Sequence, residues 1–71
     1  MNFKKCEILI DGKWCESKLE DIKKGTRFRL HLEHETNRVM IMDTALSFPF
    51  TDKDKTRIIT VNGGVTINNL H

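Results

Sequence analysis

The chain has 71 residues, 12 Lys+Arg against 10 Asp+Glu, a formal net charge of +2, and 38% of its residues in the apolar set. That length allows one domain, 1–71, with one small core, and excludes a deep cleft between two lobes. Mixed charge with this apolar content excludes a disordered chain. No apolar run reaches the ~18 residues of a membrane span, and the N-terminal stretch has no signal-like apolar segment, so no membrane partner is expected.

The first run, residues 3–10, is extended in character and ends at Asp11-Gly12. Asp-Gly between apolar runs signals a two-residue hairpin, because a type I′ turn needs positive φ at both central positions. The register then sets Ile10 against Lys13, Leu9 against Trp14, Ile8 against Cys15 and Cys6 against Ser17. Leu9 and Trp14 fall on one face, while Cys6, Ile8, Ile10 and Cys15 fall on the other. Apolar groups on both faces predict a strand covered on both sides, or covered on one side by a second subunit.

Ser17, with Glu20 three residues on, reads as a capping box, and Gly25 follows Lys23-Lys24 as a stop. The pattern predicts a short helix near residues 18–24. Residues 26–34 alternate Phe28, Leu30 and Leu32 with Arg27, Arg29, His31 and Glu33, the period of a half-buried strand. The VMIM run after Arg38 predicts a strand buried on both faces. Residues 43–55 read as a long loop carrying Ser47-Phe48-Pro49-Phe50. Residues 56–62 give another strand, Gly63-Gly64 a turn, and 65–68 a last short strand. The sum is an all-β small barrel or sandwich of SH3-like or OB-like size, with about six short strands and one short helix.

Chemistry-bearing residues are few. Cys6 and Cys15 lie diagonally on the hairpin and read as buried thiols. A zinc site from Cys6, Cys15, His31 and His34 fails on spacing and on strand parity, so no metal is assigned. No nucleophile–base pair, P-loop or dinucleotide fingerprint is present. No catalytic residue and no cofactor are assigned, and an enzyme is not expected. Arg27, Arg29 and His31 form a cationic stripe on one strand face, and Lys53 and Arg57 add charge nearby in sequence. Such a stripe suits phosphate, whether of a nucleotide or of nucleic acid. Phe48, Pro49 and Phe50 either plug one end of the barrel or make a contact surface.

The stretch ILIDGKWCESKLEDIKKGTRFRL resembles the opening of Hint domains through Cys6, Asp11-Gly12, Leu19-Glu20-Asp21-Ile22 and Gly25. Cys6 is internal and the later Thr-x-x-His block is missing, so the resemblance implies shared local structure without splicing. Nearly the whole chain resembles short bacteriophage and prophage accessory proteins of unassigned function. The positions that carry this are Asp11-Gly12-Lys13-Trp14, Leu19 to Gly25, Thr26-Arg27-Phe28-Arg29-Leu30, Ala45 to Phe50, Asp52 and Ile59-Thr60-Val61. That resemblance implies a protein of the host-cell cytoplasm that counters host defence. The expectation is a non-enzymatic homo-oligomer that sequesters an anionic small molecule such as a signalling nucleotide. Arg27, Arg29, His31, Lys53 and Arg57 would neutralise phosphate, while Phe48 and Phe50 would stack a base. Trp14, Phe48, Pro49 and Phe50 are the expected interface. The alternatives are direct inhibition of a host protein, or a small nucleic-acid-binding barrel.

Overall fold

A computed structural model describes residues 2–68, and over that span the protein is all-β. The strands are β1 (Asn2–Ile10), β2 (Lys13–Ser17), β3 (Arg27–His34), β4 (Asn37–Thr44), β5 (Phe50–Asp52), β6 (Lys55–Ile58) and β7 (Val65–Asn68). They form a four-stranded sheet, in the order β2-β1-β3-β4, and a three-stranded sheet, in the order β5-β6-β7. Every pairing is antiparallel. Among the described residues, no helix is long and apolar enough to cross a membrane.

The first hairpin forms in the register its turn dictates, from Ile10 opposite Lys13 to Cys6 opposite Ser17. Asp11 at φ 49° and Gly12 at φ 80° supply the two positive values. A side chain at position 12 would meet no neighbouring atom, so the demand there is on the backbone alone. Gly12→Ala is therefore expected to cost about 1 kcal/mol, through backbone strain and not through a clash. A chemical denaturation midpoint measures it.

The core lies between the sheets. Phe28, Leu30 and Leu32 of β3 point inward, meeting Cys6 from β1, Ile22 from the connection, and Ile58, Val65 and Ile67 from the second sheet. Ala45 and Thr60 join the sheets through an isolated bridge. Leu46 N–H donates to the Ile59 carbonyl (2.7 Å), and Val61 N–H donates to the Thr44 carbonyl (3.1 Å). At this junction sits Asp43, a buried carboxylate. Its Oδ1 accepts from the Thr44 N–H (2.8 Å) and from Asn62 Nδ2 (3.2 Å), tying β4 to the turn before β7. Burial pushes the Asp43 carboxyl up, but hydrogen bonds from Thr60, Thr44 and Asn62 outweigh it and leave it below its ordinary value.

Three expectations need correction. The helix near 18–24 is a single 3-10 turn, Leu19–Asp21. Its N-cap position is held by Lys18 with no side-chain cap, and the Ser17 hydroxyl donates instead to the Lys18 carbonyl at 3.1 Å. One turn gains too few hydrogen bonds to offset nucleation, so burial of Ile22 in extended conformation decides the path. The VMIM run is not covered on both faces: β4 ends its sheet, and Val39, Met40 and Met42 are exposed. The stretch 43–55 is less irregular than it reads. β4 runs into it and it contains β5, which raises the count from six strands to seven.

Candidate anion-binding face

The outer face of the four-stranded sheet is built by parity. Cross-strand pairing sets Glu16, Glu7, Arg29 and Met42 in one row and Lys5, His31 and Met40 in the next. Glu7 opposite Glu16 is a like-charge pair, which by itself destabilises a sheet. The third strand answers it. Arg29 Nε donates to Glu7 Oε1 at 2.8 Å, and His31 Nε2 lies 2.7 Å from the same oxygen. The guanidinium of Arg29 also stacks on Trp14, 4.3 Å from the ring centre, a cation–π contact that holds both planes.

These bonds set the acid–base behaviour of the face. The hydrogen bond from Arg29, then that from His31, lowers the Glu7 carboxyl from about 4.5 to about 2. A carboxyl lowered in the folded state contributes stability that is complete above its unfolded value and is lost as pH falls through its folded one. The window for Glu7 is thus from pH 4.5 down to about 2, and Asp43 acts in the same direction. Thermal melts across this range are expected to show a steep loss that Glu7→Gln flattens. Cys6 is the opposite case. Burial, and then the charge of Glu7, push its thiol up to about 11, so at neutral pH it is a packed thiol and not a thiolate.

Next to this network lies an open groove of about 540 Å³, lined by Lys4, Lys5, Glu16, His31, Leu32, Arg38, Val39 and Met40. It gathers three permanent cations against one carboxylate. Lys4 is paired with Glu33 at 3.3 Å. Arg38 has no ion pair among the described residues, although it lies opposite Glu33 in register. Lys5 acts on Glu7 through its field and not through a bond. Both Lys5 and Arg38 are exposed, so a ligand can reach them. The β-bulge between Phe3 and Lys5 gives Lys4 its place. One extra residue there sends two successive lysines toward the same end of the sheet.

The seven residues expected to bind ligand do not converge. Arg27, Arg29 and His31 share the outer face of β3, as the alternation predicts, but Arg29 and His31 are occupied by Glu7. Arg27 Nη2 lies 3.3 Å from Met42 Sδ. Phe50 and Arg57 belong to the second sheet, opposite one another, and Arg57 is paired with Asp52 at 3.3 Å. Lys53 sits in the β5–β6 turn at φ 60°. The groove lining contains neither Phe48 nor Phe50. Phe48 is 62% exposed, so it is a surface group and not a plug. Among the expected interface residues, Trp14 is half-buried beneath Arg29 and Pro49 is half-buried.

Sequence reasoning missed Lys4, Lys5 and Arg38. The Lys4-Lys5 pair was visible as charge, but the bulge that aims it was not. Among the described residues no three His, Cys, Asp or Glu side chains gather as a metal site, and both cysteines are free. The side chain of His34 lies outside the described ones. No family model, curated protein or solved structure matches the chain.

Proposed function

We propose that this is a non-enzymatic binding protein that captures an anionic small molecule of the nucleotide class on the outer face of its four-stranded sheet. The observation that carries the reading is the convergence of Lys4, Lys5 and Arg38 on one open groove whose floor includes Val39 and Met40. Cations bind the phosphate, and the apolar floor takes the base or sugar. His31, bonded to Glu7, builds part of the wall. Charge-assisted hydrogen bonds contribute ~1.5–3 kcal/mol each, so two or three give a useful affinity without a deep pocket. The exposure of Lys5 and Arg38 along an open groove favours reversible capture. The resemblance to phage accessory proteins supports a role in countering host defence by sequestration, in the host-cell cytoplasm and as a homo-oligomer.

Nucleic acid offers the same phosphate chemistry, and salt separates the two. A polymer that releases six or more counterions loses roughly 10³-fold in affinity between about 50 and 200 mM salt. Fluorescence anisotropy with a labelled dinucleotide is expected to show less than about a tenfold loss over that range. Saturable binding by a labelled single-stranded 20-mer alone, with the steep slope, would overturn the small-molecule reading.

A further inference from the structure

We propose that a second copy of this chain docks antiparallel along the free edge of β4, about a two-fold axis at Met40. β4 is an end strand of its sheet. Only its C-terminal end is covered, where Thr44 and Leu46 bond to Val61 and Ile59. The backbone edge over 37–43 has no strand partner among the described residues. Natural edge strands are guarded by proline, lysine, bulges or short length. β4 has eight residues, no proline and no lysine, and its pairing with β3 runs without a register shift. Its charges, Arg38 and Asp43, stand near its two ends and leave the uncharged centre 39–42 open to another strand, and a strand of matching pattern always present is that of a second copy.

Two further features fit that occupant. Beside the edge runs a groove of about 650 Å³ whose lining includes half-buried Ile41 and the buried Leu32, Val65 and Ile67. Beyond it, on the outer face, Met40, Met42, Leu46, Ile59 and Val61 are exposed by 50, 38, 47, 50 and 61%. A standard interface takes about 800 Å² per partner, roughly 15% of the 5213 Å² surface.

Charge and parity choose the register. Centring the seven free residues places Met40 opposite the partner's Met40, Val39 opposite the partner's Ile41 and Arg38 opposite the partner's Met42. Inward residues then meet inward ones, and Met40 and Arg38 keep their side chains on the outer face, which in-plane pairing leaves open to a ligand. The two Arg38 guanidiniums sit about 13 Å apart along the strands, at ~3.3 Å per residue. That exceeds the ~8 Å screening length, whereas a parallel alignment would set them side by side. Four methionines meet across the axis, side chains that adapt to an imperfect fit. Lys4 and Lys5 lie on β1, two strands from the axis, and stay open.

The test begins with sedimentation equilibrium of the full chain, where a dimer is expected. In a Cys15→Ser background, Met40→Cys should form a covalent dimer under mild oxidation. Residues directly opposite in an antiparallel pair have Cα atoms about 4.5–5.5 Å apart, within disulfide range. Glu20→Cys, exposed in the 3-10 turn and away from β4, serves as the control. Met40→Asp should weaken association at least tenfold while the circular dichroism spectrum is retained. A monomer at all concentrations up to about 1 mM would overturn the proposal. So would a dimer in which Met40→Cys cross-links no faster than Glu20→Cys.

Discussion

Phe28→Ala is expected to remove a large part of the protein's stability. Phe28 is fully buried near the start of β3, between Ile8 and Asp43 in register. Truncating a buried phenylalanine costs ~3–5 kcal/mol, from lost transfer free energy plus the cavity left behind. At ~0.05–0.15 kcal/mol per residue, a chain of this length has only about 4–11 kcal/mol to lose. Phe48→Ala is the contrasting case. That ring is 62% exposed, and surface substitutions usually stay within about 0.5 kcal/mol. A pair of thermal melts should show a collapsed transition for the first and a near-native one for the second. Equal shifts would place the core elsewhere.

The second large effect is on binding. Lys5→Glu with Arg38→Glu is expected to abolish nucleotide capture, with affinity falling at least 100-fold. Each cation lost removes ~1.5–3 kcal/mol of charge-assisted bonding, and 1.4 kcal/mol is tenfold. Both side chains are exposed, so the fold should survive. Arg57→Glu is the matched control, since Arg57 lies on the second sheet and is held by Asp52. An equal loss with Arg57→Glu would mean that the effect is one of net charge and not of the groove.

Local rules account for what the sequence revealed. The first hairpin was legible down to its register because Asp11-Gly12 leaves the chain one economical turn. β3 was legible because Phe28, Leu30 and Leu32 alternate over a full strand. What failed depended on distant partners. An apolar run such as VMIM reads the same whether a strand is sandwiched or is an edge facing an open groove, and only the sheet order tells them apart. The cationic stripe of β3 was placed correctly but misjudged in charge. Glu7, 22 residues before Arg29, comes beside it only once β1 and β3 pair. The groove proposed for the ligand was hidden for the same reason. Lys4 and Lys5 enter it through a bulge, which leaves no mark in composition. Phe48 and Phe50 drew notice as aromatics near a proline, yet β5 carries Phe50 to the other sheet.

Calorimetric titration decides whether the groove takes an anion. A panel of mononucleotides, dinucleotides and inorganic phosphate would be titrated into the wild-type chain and into Lys5→Glu/Arg38→Glu at about 100 mM salt. The account predicts saturable binding of at least one nucleotide, one per groove, that disappears in the double variant and is unchanged in Arg57→Glu. Binding that survives the double variant, or no heat from any member of the panel at millimolar concentration, would contradict it.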